Sequence, residues 1–278
     1  MDSLLSGSLA GIVADVATHP LGTVKTRLQV QGASAASLTR YGGVAQGLTR
    51  ILTREGVGAL YKGVGVVVAT AAPAQGLFFL GNDTAREALR PHLPAAAASF
   101  AAGCVAQLCG SLCWVPMDTV KERLQVEGQL KRGSKAELGG SWNAVRTILR
   151  REGLRGFYPA YWVHQATWAP FNGLFFAIYE ACKEYTNGLC SGVVAGVAAG
   201  FLTNPMDLVK TRLQVMRADP STFAYAGAFD CVGQILRREG PLAFLDGAIA
   251  RCATVAPRLT ICVLVKDAIA PGVKEALG

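Results

Sequence analysis

Acidic and basic residues recur at a fixed spacing in three copies of one short segment. The copies read PLGTVKTRLQ from Pro20, PMDTVKERLQ from Pro116 and PMDLVKTRLQ from Pro205. Two copies set an aspartate three residues before a lysine, and the first copy has Gly22 in place of the acid. The chemistry available to such residues is ion pairing, because opposite charges attract strongly only where water is excluded.

The three copies indicate an internal repeat of about ninety residues, which fixes the architecture before any local assignment. We expect repeats over 1–93, 94–187 and 188–278. The chain is 51% hydrophobic and 17% charged, which is too apolar for an ordinary soluble domain and predicts an integral membrane protein. Because Gly, Pro and polar residues interrupt the apolar runs, the helices are expected to line a polar interior.

Each repeat predicts two long membrane helices and one short amphipathic helix at the membrane surface. The amphipathic segments end in Glu-Gly, a helix stop, and lie at 44–56, 142–153 and 229–240. Prolines Pro20, Pro116 and Pro205 are expected to kink the first long helix of each repeat. The fold class is therefore all-α, with six transmembrane helices in three pseudo-threefold repeats and both termini on one side.

The net charge of +8 arises from Lys and Arg between the apolar runs. This distribution suits contact with anionic lipid headgroups. Nucleic acid is not an expected partner, because the chain has no compact basic stripe with interleaved aromatic residues. The three histidines are too scattered for a metal site, and the sequence shows no nucleotide-binding loop or nucleophile–base set, so an enzyme is not expected.

The proline motifs, the Glu-Gly turns and the prolines of the later helices together resemble the mitochondrial carrier family over essentially the whole chain. That resemblance implies a transporter of the mitochondrial inner membrane that exposes one central site to each side in turn. It implies a matrix gate in which Asp118 pairs with Lys210 and Asp207 with Lys25. Lys121 would then lack a partner, and three glutamines would brace the gate from below: Gln29, Gln125 and Gln214.

A second gate is implied at the cytosolic end of the later helices. Asp83 would pair with Lys183, and Asp267 with Arg86. Tyr179 supplies the aromatic position and Glu180 would lack a base. The alternative for each charged residue is that it extends to the lipid headgroups.

Substrate contact is implied three residues before each later proline, where this chain has Thr70, Thr167 and Thr254. Threonine in a membrane helix otherwise bonds the carbonyl four residues earlier, and this alternative stays open. Further candidate contacts share this face or the facing helix; they are Asp15, His164, Trp168, Arg251 and Arg258. Arg251 and Arg258 are expected to face the cavity, since a guanidinium in lipid is costly. His164 is either a packing residue or a proton-coupling group, and Trp168 either packs or covers the solute.

The contact set predicts an amino acid or an amino-acid-derived solute. S-adenosylmethionine or another cofactor-type solute is an alternative, and a proton-leak or non-transporting scaffold of the same fold is an alternative of another class. Tyr61, Lys62 and Gly63 match in full the motif that holds cardiolipin in the family, so cardiolipin is an expected structural lipid. No cofactor is expected, and a monomer is the expected state.

Overall fold

A computed structural model of the chain describes residues 2–33, 40–130, 138–218 and 223–277. Within these ranges, the side chains outside the description are those of residues 2–6, 8, 95–97, 99, 266–267 and 270–277. Asp267, the predicted partner of Arg86, is one of them.

The described ranges fold into helices of two kinds, long helices that form a bundle and short ones at one end of it. The long helices are α1 (Asp2–Val30), α4 (Val64–Leu89), α5 (Ala95–Val126), α7 (Tyr161–Cys182), the consecutive pair α8 (Gly188–Leu202) and α9 (Asn204–Val215), and α11 (Ala248–Leu277). The short helices are α2 (Val44–Glu55), α3 (Val57–Leu60), α6 (Ser141–Glu152) and α10 (Ala228–Arg238). The six long elements, with α8 and α9 counted together, pack as a closed ring in which α1 meets α11.

Length and composition identify the membrane-crossing part of the bundle. Within the described ranges, three segments are long and apolar enough to span a bilayer: Val57–Leu89, Phe100–Gln129 and Pro241–Val265. The pair α8 and α9 passes the same test as one bent span. α1 and α7 take the equivalent places in their repeats and carry polar residues such as Asp15 and His164 towards the interior. The predicted six-helix membrane fold in three repeats is confirmed.

The three motif prolines do not have equal effects on their helices. α1 and α5 continue through Pro20 and Pro116, whereas the third copy breaks into α8 and α9 with a bend of 64°. The bend expected at Pro205 is thus present as a break in the helix, and the kinks expected at Pro20 and Pro116 stay predictions, because a continuous helix can still bend at a proline. At the break, Thr203 leaves helical geometry, and its hydroxyl donates to the Ala199 carbonyl oxygen at 2.7 Å. Pro205 has no N–H to continue the ladder across this point.

The predicted amphipathic helices are present as α2, α6 and α10. Each is followed by the glycine of its Glu-Gly pair, and these glycines, Gly56, Gly153 and Gly240, have φ of 84°, 66° and 85°. Only glycine adopts this left-handed backbone without strain, which explains why each helix stops there. Cys231 of α10 packs in an apolar cluster, and burial raises the pKa of its thiol to about 12.

An arginine ties each proline-motif helix to its surface helix and to the next repeat. Arg27, Arg123 and Arg212 are almost fully buried and donate from Nε to the backbone oxygens of Gln125 (2.8 Å), Gln214 (3.1 Å) and Gln29 (3.0 Å). Their remaining nitrogens bind the glutamates of the Glu-Gly turns, Glu55, Glu152 and Glu239. Beside this layer, Val30, Val126 and Val215 meet with Phe223 in one apolar cluster. We call this end of the bundle the motif end.

Candidate functional site

A central cavity of about 520 Å³ lies between the long helices. Its lining is polar and charged near the motif end. Further from that end, the lining also contains aromatic rings. Charged lining residues are Asp15, Lys25, Asp118, Lys121, Glu122, Asp207, Lys210, Arg251 and Arg258. Because buried charges are stable only when paired or hydrogen-bonded, the contacts of each decide what the cavity can bind.

Two ion pairs that cross between repeats form the boundary of the cavity at the motif end. Lys210 Nζ lies 2.7 Å from Asp118 Oδ2, and Lys25 Nζ lies 2.5 Å from Asp207 Oδ2. Asp118, Asp207 and Lys210 are buried. Both pairings predicted from the sequence are thus present, and we call these two pairs the motif-end network.

The expectation that Lys121 lacks a partner is wrong. Its ammonium lies 2.8 Å from Oδ1 of Asp118, three residues earlier on the same helix. With Gly22 at the missing acid position, the lysine turns to the nearest carboxylate of its own repeat. Asp118 therefore serves two lysines, and no pair from Lys121 crosses to repeat 1 within the described residues.

The three predicted glutamines lie directly beneath the motif-end network. Gln29 donates to Asp207 Oδ2 at 2.9 Å and accepts from the Thr211 hydroxyl at 2.9 Å. Gln125 accepts from the Thr26 hydroxyl at 2.8 Å. The Gln214 amide faces Glu122, and in the orientation that matches donor to acceptor its nitrogen is 2.6 Å from Oε2. Each glutamine thus contacts the residue that follows a motif lysine in a neighbouring repeat.

Glu122 is a site residue that the sequence reasoning missed. It occupies the position held by Thr26 and Thr211 in the other copies, it is 2% exposed, and it lies 3.9 Å from Lys210 Nζ. The sequence contains a signal for this residue, because Glu122 is the one acidic residue at this position among the three motif copies. Its carboxylate adds a negative charge at the junction of repeats 2 and 3. It does not replace the acid that is missing at Gly22, which belongs to the junction of repeats 1 and 2.

The threonines predicted to contact substrate all use their hydroxyl protons within their own helices. Thr70, Thr167 and Thr254 each donate to the carbonyl oxygen four residues earlier at 2.7 Å. Thr254 alone of the three lines the cavity, whereas Thr167 is buried at 1% exposure. The helix backbone therefore uses the three hydroxyl protons, and Thr254 is the member of the set that lines the cavity, while the expected ring of three substrate contacts stays a prediction.

The predicted arginines do line the cavity, and each faces a carboxylate. Arg258 Nε lies 2.5 Å from Asp15 Oδ1 across α1 and α11. Arg251 is buried, with Nη1 3.6 Å from Asp207 Oδ2 and its guanidinium 5.6 Å from the centre of the Phe171 ring. That Arg251 nitrogen has no hydrogen-bond partner among the described residues.

His164 and Trp168 also line the cavity, one turn apart on α7. His164 is 2% exposed, neither ring nitrogen has a hydrogen-bond partner among the described residues, and Nδ1 lies 3.7 Å from Asp118 Oδ2. Both predicted roles of His164, packing and proton coupling, stay predictions. The Trp168 ring packs edge-on against Phe171 with centroids 5.3 Å apart.

At the opposite end of the bundle, the predicted cytosolic pairs are not formed among the described side chains. Lys183, directly after the end of α7, binds Glu180 three residues earlier, so the expectation that Glu180 lacks a base is wrong. Asp83 and Arg86 are exposed, and Asp83 accepts only from the neighbouring Asn82 amide at 3.2 Å. Ion pairs therefore join the helices at the motif end, whereas at the other end the described side chains of the predicted gate form no pair between helices.

A comparison with known protein families agrees with this geometry over almost the entire chain. The family described as mitochondrial carrier protein matches residues 1–93, 94–188 and 184–275. The chain belongs to the mitochondrial carrier family. Members of this family are solute transporters, and the multi-pass helical bundle fits that assignment.

Individual carriers resemble the chain along most of its length. Mitochondrial substrate carrier family protein E of Dictyostelium discoideum is 35% identical over 91% of this chain and 90% of its own length. The probable chloroplastic S-adenosylmethionine carrier 2 of Arabidopsis thaliana is 33% identical over 88% of this chain and 67% of its own length. Human mitochondrial glutamate carrier 1 is 28% identical over 94% and 91%.

Proposed function

We propose that this carrier moves an amino acid or an amino-acid-derived solute across the mitochondrial inner membrane, and that it does so by alternating access without catalysing a reaction. The observation that carries the proposal is Arg251. Its guanidinium is buried in a water-accessible cavity, and Nη1 has no hydrogen bond to any described residue, which makes it a ready partner for a carboxylate. The similarity to a carrier named for glutamate and one named for S-adenosylmethionine supports the same solute class.

Asp15 complements Arg251 from the neighbouring helix, since α1 packs directly against α11 and both side chains line the cavity. Its carboxylate is now paired with Arg258, and both side chains remain partly exposed to the cavity, at 30% and 44%. A solute ammonium group can share Asp15 with Arg258 at small cost, because an exposed pair contributes little by itself. The cavity therefore offers a cationic contact deep in the bundle and an anionic contact nearer its entrance, which suits a zwitterion.

The proposed cycle starts from the conformation described here, open at the end opposite the motifs. A carboxylate that binds Arg251 competes with Asp207 for the same guanidinium and weakens the contacts that hold Asp207 in the motif-end network. Substrate binding would thus supply the differential free energy that opens this network. Closure of the other end would bring Asp83 to Lys183 and Arg86 to Asp267.

S-adenosylmethionine is the second candidate, and a specific feature favours it. Trp114, Trp168 and Phe171 all line the cavity, and flat rings of this kind can stack on a purine. The carboxylate of its methionine part would use Arg251 as any amino acid would, so the aromatic wall is what separates the two candidates.

Uptake into liposomes tests the function directly. Purified carrier would be reconstituted, and uptake of radiolabelled L-glutamate, L-aspartate, branched-chain amino acids, S-adenosylmethionine, ADP and malate compared. We expect saturable uptake of one amino-acid-type solute, reduced at least about tenfold by Arg251→Gln, because a charge-assisted contact is lost. Saturable uptake of ADP or malate alone would contradict the solute class, and no uptake of any solute would favour a scaffold.

Lipid contacts, oligomeric state and location complete the proposal. Cardiolipin at Tyr61, Lys62 and Gly63, a monomeric carrier and the mitochondrial inner membrane are all consistent with the family. The chloroplastic relative shows that this family also serves another organelle. A fluorescent fusion compared with an inner-membrane marker decides the location.

A further inference from the structure

The junction between repeats 1 and 2 lacks the central ion pair that the other junctions have. Asp118–Lys210 joins repeats 2 and 3, and Asp207–Lys25 joins repeats 3 and 1. The corresponding pair would join position 22 to Lys121, but position 22 is glycine and Lys121 binds Asp118 of its own helix. Neutral contacts remain there, including the Thr26–Gln125 hydrogen bond.

A different ion pair crosses this same junction nearer the surface. Lys62 Nζ lies 2.5 Å from Glu127 Oε2, with side-chain exposures of 36% and 12%. Lys62 precedes α4 in repeat 1, and Glu127 follows α5 in repeat 2. The two repeats are in close contact at this point, because a Cβ added to Gly63 would lie 2.9 Å from the Lys121 Cα.

The equivalent positions at the other junctions cannot form such a pair. The position of Lys62 is Pro159 in repeat 2, and the position of Glu127 is Met216 in repeat 3. At the remaining junction the two residues are Asp246 and Gln31. At these two equivalent positions, opposite charges therefore occur only at the junction whose central pair is missing. The junction of repeats 2 and 3 has a more distant contact between other positions, with Arg217 Nη1 3.4 Å from Glu152 Oε2.

Both partners are held in place by other groups, which separates this contact from an ordinary surface ion pair. His19 Nε2 lies 3.0 Å from the Lys62 carbonyl oxygen, which fixes the start of α4 against α1. The other Glu127 oxygen accepts from the Leu138 backbone N–H. The Glu127 carboxylate and the Lys62 backbone are therefore already fixed. Because of this, forming the ion pair costs less side-chain entropy than it does for two mobile side chains at the surface.

We infer that Lys62 and Glu127 are positioning residues that hold repeats 1 and 2 together at the motif end, in place of the absent central pair. The inference rests on the proposed alternating access. A carrier that opens at the motif end must break this contact in every cycle. Opening would then require both central pairs and the Lys62–Glu127 pair to separate, so that every junction loses at least one ion pair.

Backbone hydrogen exchange on the full-length carrier in nanodiscs, with no solute added, tests this. Glu127→Gln removes the pair, and we expect exchange to become about two- to fivefold faster at 61–67 and 122–130, since a part-buried pair limits local opening. Exchange at 158–164 and 245–251, the starts of α7 and α11, should not change. A uniform rise at all four segments, or no rise at 61–67, overturns the inference.

Three further variants sharpen the result. Glu87→Gln changes the charge equally at an exposed site on α4 and should leave the exchange unchanged. Lys62→Gln should speed exchange at the same segments as Glu127→Gln. If Lys62→Gln speeds exchange and Glu127→Gln does not, the lysine acts through lipid and the inferred ion pair is wrong. Gly22→Asp in the Glu127→Gln background should restore slow exchange, because no atom lies within 4 Å of a Cβ added at Gly22 and Lys121 lies in the same cavity. The readout needs no solute, so its failure is distinct from a failure of transport.

Discussion

At the scale of single residues, Asp118 receives two lysine ammonium groups, 2.7 Å and 2.8 Å from its oxygens. Glu122, one turn further along α5, has Lys210 only at 3.9 Å and is met mainly by the Gln214 amide. Two buried carboxylates on one helix therefore differ in what depends on them. Removing one partner of a close buried ion pair leaves an uncompensated charge, whereas removing a distant partner does not.

The first prediction compares these two acids. Asp118→Asn should lower the free energy of unfolding by about 3–5 kcal/mol, because Lys121 and Lys210 lose their carboxylate in a buried site. Glu122→Thr should cost less than about 1 kcal/mol, because Thr26 and Thr211 already fill this place and bind the same type of glutamine. Thermal unfolding of the two variants in the same detergent measures the difference. Equal losses would show that Lys210 depends on both acids.

A second prediction concerns the threonines, which share one hydrogen bond and differ in exposure to the cavity. Thr254→Val should lower the transport efficiency for the solute found in the uptake screen by about three- to tenfold, because its oxygen lines the cavity and can accept a hydrogen bond from the solute. Thr70→Val loses the same internal bond but does not line the cavity, and should change transport little. Similar losses in both variants would assign the effect to helix geometry.

These residues also show what the sequence could predict. The family resemblance carried by the three motifs implied the pairs of Asp118 with Lys210 and Asp207 with Lys25, and the structure contains both contacts. Symmetry fails where the chain departs from it: Lys121 turned to its own helix, and Glu122 was not assigned. Which way a hydroxyl points depends on helix rotation of a few tens of degrees, and no periodicity in the sequence sets it.

At the scale of elements, the buried arginines of the proline motifs join three pieces of structure each. Arg212 donates to the Gln29 carbonyl oxygen of repeat 1 and, with two nitrogens, to Glu239 at the end of α10. A planar guanidinium can make these bonds in fixed directions at once, and a lysine ammonium cannot. The arrangement explains why the Glu-Gly turn is needed: it stops the surface helix where its glutamate meets the arginine.

The third prediction follows from that geometry. Arg212→Lys keeps the charge but should reduce the free energy of unfolding by about 2–3 kcal/mol, because the Gln29 carbonyl oxygen or Glu239 is left without its donor in a buried site. Arg217→Lys is the matched control, since Arg217 is 40% exposed and lies 3.4 Å from Glu152. Its loss should be within about 0.5 kcal/mol. A comparable loss in the control would point to a general intolerance of lysine at this surface.

At the scale of the whole molecule, the three repeats share a fold but close the motif end unequally. Two junctions have central ion pairs, and the third has neutral contacts and an outer pair. In the proposed cycle, solute binding at Arg251 and opening of the motif end both act on Asp207, which contacts Arg251 and is paired with Lys25. A carrier of this kind gains speed from a weak barrier at one junction, provided that the other two keep the end closed without solute.

Restoring the missing acid tests that balance. Gly22→Asp should place a carboxylate in the cavity wall where Lys121 can reach it, adding a third central pair and stabilising the closed motif end. We expect the maximal rate of exchange in liposomes to fall about three- to tenfold with little change in apparent affinity, because the added pair must break in every cycle. Gly22→Asn adds nearly the same volume without the charge and should leave the rate near that of the parent. If Asn slows exchange as much as Asp, the effect is steric, and the absence of an acid at position 22 does not set the barrier.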